Sequence, residues 1–440
     1  MEPISRRTFL KLAGLAAIGV AGGLAYEFIP GAKTVTHQAV RSTKAAAAHY
    51  ELTSDVDMLH LWQVITADSR TSRTISWQSA LSEEEAVVEY RLKDAEDAFV
   101  ISAGNETFTD DDTTTYLHTA TIQDLKPGTA YEYRIGYGDK RSDWYPLHTA
   151  EGSDFKALIF PDSQSSDYSV WRDTAVPAYE RNQDAQFYIN MGDLVDNGQD
   201  HYQWSAWFGA IEKMASAIPI APIPGNHETY NRDWKVRFPE AYVHYFSLPD
   251  NGLKKYKNQF YTFDYGDIHF ICLDTQFTEM EQFQPSLEAD EVAWLKDDAA
   301  KTDKKWKIIV MHKDPLQYAF NPAVRSGDRQ NGFSAEGETF MPIFDQIGVD
   351  VVLSAHLHTY RNRGHIRQFK RDPAGPLYIL TGVAGNVRYP SLWATHPLDE
   401  YVPPQPETDN YMVMEATKNK LTFQCFLPDG TLLDTASVEK

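Results

Sequence analysis

Five short apolar runs in this sequence each lead into side chains that can bind a metal ion. Ala157-Leu158-Ile159-Phe160-Pro161 leads to Asp162-Ser163-Gln164, and Phe187 to Gly192 leads to Asp193, with Asp196 three residues on. Ile220 to Pro224 leads to Gly225-Asn226-His227-Glu228, Ile308 to Met311 leads to His312, and Val349 to Ala355 leads to His356-Leu357-His358. Carboxylate, amide oxygen and imidazole are donors for first-row metal ions, so the chemistry indicated is metal chemistry. Each ending alone has a plainer reading. An Asp after a strand caps a turn or a helix, and a His there is a satisfied structural side chain. The two rings of His-x-His share a strand face in any case, and Asn226 after Gly225 is ordinary turn chemistry. The informative pattern is five such endings in one chain.

The elements that must position these residues follow from periodicity. From about residue 154, apolar runs of strand length alternate with helical segments such as Asp290 to Lys301, where Val292, Leu295 and the preceding Leu287 share one side. That pattern predicts a layered α/β core with buried strands. Its strands would present ligands at their carboxyl ends, where a crevice forms. From about 55 to 150 the chain reads as short strands: Thr74–Trp77, Val87–Leu92, Phe99–Ile101 and Tyr131–Tyr137, the last preceded by the turn signal Leu125-Lys126-Pro127-Gly128-Thr129. This predicts an all-β sandwich with a packing or substrate-framing role. The strands Tyr411 to Ala416 and Leu421 to Leu427 are expected to close the α/β domain. The divisions are 1–50, 51–152 and 153–440.

The order and spelling of the five endings resemble the calcineurin-like metallophosphoesterases: Asp-x-Gln, Gly-Asp, Gly-Asn-His-Glu, a lone His, then His-x-His, over about Phe155 to Val387. The segments Leu125 to Gly138 and Phe260 to Phe270 are similar to the purple acid phosphatase branch, in which a fibronectin type III-like domain precedes the catalytic one. The resemblance implies a two-sheet sandwich flanked by helices, behind an all-β fibronectin type III-like sandwich. It implies two metal ions, from Fe, Mn and Zn, with Asp193 bridging them. Asp162, Gln164 and His358 would complete the ligands of one, and Asn226, His312 and His356 those of the other. His227 would be catalytic, binding neither metal. A small phosphate ester would be hydrolysed by water activated between the ions. Two departures stand out. Asp196 occupies the position of the tyrosine that colours the purple enzymes, either as a hydrogen-bond acceptor beside the ligands, the preferred assignment, or as a ligand itself. Gln164 replaces the usual His.

Composition narrows the alternatives. The net charge is −21. Residues 1–48 hold six basic and two acidic side chains, and without them the balance is −25. With no run of Lys and Arg, this argues against a nucleic-acid duplex or an anionic membrane as partner. Ser5-Arg6-Arg7-Thr8-Phe9-Leu10-Lys11, followed by fifteen uncharged residues from Leu12 to Tyr26, resembles a twin-arginine signal. It implies export through that machinery from a bacterial cytoplasm and no stable membrane span after processing. Cys272 lies in an apolar run and reads as a buried small side chain, with a disulfide to Cys425 left open. Tyr168, Trp171, His201, Trp204, Tyr230 and Arg325 lie near the motifs, where packing or surface exposure accounts for any one of them. The function expected is phosphate monoester hydrolysis. A phosphodiesterase acting on nucleotides or lipid headgroups, and a non-catalytic surface binding protein, are the alternatives.

Overall fold

The computed structural model describes residues 56–80, 85–316, 332–387, 395–404 and 406–440. The signal-like segment 1–50 and Arg325 lie outside them. Among the described residues, the strands form sheets of ten, seven and five.

The α/β part is built around two facing sheets. Phe155–Phe160, Ala185–Asn190 and Ile220–Pro222 pair in parallel, and Tyr411–Ala416, Lys420–Phe426 and Leu432–Glu439 continue that sheet antiparallel. The opposite sheet runs Tyr261–Tyr265, Ile268–Cys272, Trp306–Val310, Val351–Ser354, Leu377–Gly382, Thr359–Arg367 and Lys370–Arg371. Aromatic rings fill the space between them. Phe187 meets Phe263 and Phe270 edge-on at 5.7 and 5.6 Å, and Phe155 lies 4.7 Å from Tyr265. Burying a ring of this size contributes roughly 2–3 kcal/mol. The helices Ser169–Arg181 and His201–Ala210 cover the outer face of the first sheet through Trp171, Trp204 and Trp207. Leu287–Ala299 and Ala335–Ile347 cover the second through Leu287, Leu295, Phe340 and Phe344. Central strands closed on both faces need apolar side chains on both, which is why they read as continuous runs.

The N-terminal region is a β-sandwich, with Ile75, Trp77, Val88, Tyr133, Ile135 and Leu147 in its core. One of its layers does not stop at the next domain. His60–Val64, Arg73–Ser79, Thr113–Ile122 and Gly104–Asp110 extend the ten-stranded sheet beyond Ile220–Pro222. Val64 pairs with Ile220, and the Ile65 N–H donates to Ile220 O at 2.9 Å. Gln63 Nε2 and the Tyr133 hydroxyl both donate to Ser216 O. The edge of a three-residue parallel strand is thereby satisfied by the preceding region, and two stretches that read as successive units share one sheet.

Cys272 and Cys425 are both buried and both free, so the open question of a disulfide closes against it. No helix among the described residues is long and apolar enough to cross a membrane.

His269 ties the second sheet to a helix. Its Nδ1 lies 2.7 Å from Asp264 Oδ1 and its Nε2 2.7 Å from Asp298 Oδ2. Burial lowers its pKa, but the two carboxylates raise it more, to about 9. A folded-state value above that of the unfolded chain stabilises fully below about pH 6.5, and the contribution is lost as pH rises through about 9. His269→Gln should therefore lower the urea-unfolding free energy more at pH 6 than at pH 10, by about 2 kcal/mol after discounting solvent around Asp264. A pH-independent effect would remove the ion-pair account.

Candidate metal centre

The five strand endings converge on the rim between the two facing sheets. Asp193, His312 and His356 form one group of donors and Asp162, Asp193 and His358 another, with all donor atoms of a group within 4.8 Å of one another. Asn226 joins the first through its Oδ1, 3.2 Å from His312 Nε2. Gln164 lies beside the second, with Nε2 3.1 Å from His358 Nε2 and Oε1 left without a hydrogen-bond partner among the described residues. All seven expected ligand residues are thus in one hollow, with Asp193 common to both groups.

Local geometry makes this possible at some cost. Asp193, His356 and His358 have left-handed backbones, with φ of 48°, 74° and 52°. Such conformations are costly for residues with a Cβ and persist where surrounding bonds hold them. Asp193 is held from every side. Its N–H donates to Glu228 Oε2 at 3.0 Å, and its carbonyl accepts from Ser163 and Gln164 N–H at 3.1 and 3.0 Å. Its Oδ1 accepts from the His227 N–H at 2.8 Å. Gly225 is required here, because a Cβ on it would lie 2.1 Å from Asp193 Oδ1. Gly192, at φ 92°, turns the chain beneath His312 Nδ1, which a Cβ would approach to 2.6 Å.

The donor set fits cations. Asp162 Oδ1, Gln164 Oε1 and His356 Nδ1 are buried with no hydrogen-bond partner among the described residues. Bare polar atoms at this depth are unfavourable unless something outside the chain meets them. His312 and His358 each commit Nδ1–H to a backbone carbonyl, of Met191 and Val387, both at 2.8 Å. This fixes the ring orientation and turns Nε2 to the hollow. His312 Nε2 sits 3.2 Å from Asp193 Oδ2, and His358 Nε2 3.4 Å from Asp162 Oδ1. Lone pairs facing lone pairs require positive charge between them. In the chain alone that charge is protons. Burial opposes the charged form of His312, but Asp193 raises its pKa to about 9. Burial pushes Asp193 up, while His312 and His227 hold it well below the usual carboxylate range. His356, buried beside His312, is kept neutral.

His227 and Asp196 lie outside both donor groups and meet each other. His227 Nδ1 donates to the Asp196 carbonyl at 2.7 Å and lies 3.6 Å from its Oδ1. The Asp196 N–H donates to the Tyr168 hydroxyl, which donates to Gln203 Oε1. The other residues noted near the motifs divide. Trp171 and Trp204 are fully buried core, Tyr168 is buried, and the His201 N–H faces Asp111 Oδ2. Tyr230 stands edge-on to the His227 ring, 5.5 Å away.

Glu228 carries a role that sequence reasoning left unassigned. Its carboxylate accepts from the N–H groups of Asp193, Leu194, Val195 and Gly225 at 2.7–3.3 Å. Burial and the Asp193 charge raise its pKa to about 8, and the backbone donors pull it back. The signal was present in its place beside His227, but the partners are backbone atoms that no spacing reveals. Glu228→Gln turns amide hydrogens toward those donors. It should reduce the unfolding free energy by about 2–3 kcal/mol, measured by urea denaturation in chelator so that metal loss does not contribute. A change below about 0.5 kcal/mol would contradict this role.

Residues 142–360 match the family described as calcineurin-like phosphoesterase, and residues 59–149 match the purple acid phosphatase N-terminal domain. Purple acid phosphatase 23 of Arabidopsis thaliana is 25% identical over 307 residues, covering 62% of this chain and 63% of its own length. Acid phosphatase type 7 of Homo sapiens is 26% identical over 323 residues, 65% of this chain and 69% of its own. The chain thus spans a little under two thirds of the first of these relatives. Purple acid phosphatase PPD1 of yellow lupin, Lupinus luteus, has a similar fold, with a TM-score of 0.69 at 17% identity over 87% of this chain and 74% of that one. The sandwich before two facing sheets is therefore a known architecture. The chain joins a purple acid phosphatase N-terminal domain to a calcineurin-like phosphoesterase domain.

Proposed function

We propose that this protein is an exported phosphomonoesterase that works with two metal ions. The observation that carries the reading is the double membership of Asp193, one buried carboxylate belonging to both groups of donors. The curated relatives are named as acid phosphatases, which supports the same reaction class. The export reading rests on the Arg6-Arg7 segment alone.

Asp162, Gln164, Asp193 and His358 would hold one ion, and Asp193, Asn226, His312 and His356 the other. Bound there, the ions would supply an activated water and neutralise charge on the phosphoryl oxygens. The chain's own residues do the rest. The Glu228 cradle and the Asp193 carbonyl fix the shared carboxylate, so little reorganisation accompanies the reaction. His227 has its Nδ1–H committed to the Asp196 carbonyl. Its Nε2 is then the nitrogen that carries a proton to the departing alkoxide. Asp196 orients that ring through its backbone carbonyl, with its carboxylate 3.6 Å from the same nitrogen.

Asn226→Ala or His356→Ala should lower kcat/KM for a simple aryl monoester by about a thousandfold or more, with metal content read by elemental analysis. Turnover near wild type in either variant would overturn the site. Activity on a monoester should exceed activity on bis(4-nitrophenyl) phosphate, and a clear preference for the diester would replace the monoesterase reading. With Asp196 in the tyrosine position, and the Tyr168 hydroxyl bonded to Gln203, the pure metal-loaded protein should show no strong visible band.

A further inference from the structure

Beside His227 stands a side chain that folding does not account for. Trp234 is 56% exposed and has a left-handed backbone, φ 59°. The left-handed backbone is unfavourable for a large aromatic residue. Its ring meets the His227 ring edge to face at 5.8 Å and lies 6.1 Å from the Tyr230 ring, itself 5.5 Å from His227. Two aromatic side chains therefore border the outer side of the proposed proton donor, Trp234 with much of its surface in solvent.

The loop that presents them is fixed before any ligand arrives. Tyr230 bridges Val236, the Asn231 N–H donates to Lys235 O, and Asn231 Oδ1 accepts from the N–H groups of Asp233 and Lys235. The sandwich domain grips the same loop from outside. At the tip of the hairpin formed by Gly104–Asp110 and Thr113–Ile122, Asp110 takes Arg237 Nη1 on both its oxygens at 2.8 Å, and Asp111 pairs with Arg232. The Arg232 N–H also donates to Gln199 Oε1. Both arginines are thus engaged by acids of the preceding domain. What the loop offers is ring surface on a rigid support, a preorganised contact, in place of a further cationic site.

We infer that Trp234 and Tyr230 form a platform for a flat leaving group, an aryl ring or a nucleobase. This rests on the phosphoesterase reading and specifies its substrate class. The proton-carrying nitrogen of His227 has to face the ester oxygen, so the organic group on that oxygen extends outward, past His227 and onto the rings. A ring attached there gains stacking contact, whereas a short polyol phosphate gains none.

The test compares phenyl phosphate, AMP and glycerol 2-phosphate as substrates of the wild-type full chain and its W234A and W234F variants. W234A should lower kcat/KM about tenfold on at least one ring-bearing ester, mostly through KM, and change glycerol 2-phosphate by less than about twofold. W234F should recover most of the loss. A loss on AMP alone places the nucleobase on the platform, a loss on phenyl phosphate alone places the aryl ring there, and both support the inference. Equal effects on all three esters, or none, overturn it, while hydrolysis of glycerol 2-phosphate by the wild type leaves the phosphoesterase reading intact. Titration with AMP or phenyl phosphate, followed by tryptophan fluorescence, reads the contact without turnover. At least one should produce quenching that W234A loses, and an identical response from both proteins overturns the platform even if no ester is hydrolysed.

Discussion

Three carboxylates packed into one water-poor hollow repel one another, and the rest of the catalytic region is arranged around that repulsion. Asp162, Asp193 and Glu228 are all buried. Their neighbours divide the compensation. Glu228 is met by four backbone N–H groups, whereas Asp162 and Asp193 face imidazoles whose far nitrogens are already committed. The first arrangement is closed and belongs to the chain alone. The second is open, since Asp162 Oδ1, Gln164 Oε1 and His356 Nδ1 have no hydrogen-bond partner among the described residues. Stability and function are therefore drawn from adjacent carboxylates by opposite means: one is saturated with donors and the other two are left short of them.

This asymmetry explains where the strained backbone lies. The left-handed residues Asp193, His356 and His358 all follow the ends of parallel strands, where the sheet's own hydrogen bonds stop and side chains have to turn across the seam. Strand packing by aromatic rings below the hollow keeps those ends at fixed separation. Interiors packed at crystal-like density transmit such constraints well. The helices on the outer faces contribute by burying the tryptophans around Ser163, whose hydroxyl accepts from Trp207 Nε1 at 2.9 Å.

The convergence of these donor side chains was readable from sequence because each lies next to a short apolar run, a local signal. The strands Ala130–Tyr137 and Phe155–Phe160 were readable, as the runs Tyr131–Tyr137 and Ala157–Pro161, for the same reason. The helix read as Asp290 to Lys301 in fact spans Leu287–Ala299, because Leu287 already packs in the core rather than preceding the helix. The strand Gly104–Asp110 went unseen, since GNETFTD is mostly exposed and lacks apolar alternation. The terminal strand Leu432–Glu439 was hidden for the same reason. The pairing of Val64 with Ile220 and the grip of Asp110 on Arg237 join residues more than a hundred positions apart. No periodicity encodes such contacts, and one aspartate among many gives no sign of its partner.

The shared ten-stranded sheet has a consequence for biogenesis. The strand His60–Val64 is synthesised early, yet the neighbour that completes one of its edges, Ile220–Pro222, emerges from the ribosome only some 150 residues later. Until then the sandwich carries an open flank of the kind that recruits foreign chains. The nascent chain thus passes through an interval in which that flank is uncovered. Once Val64 and Ile220 meet, that liability becomes the joint that binds the two halves of the molecule.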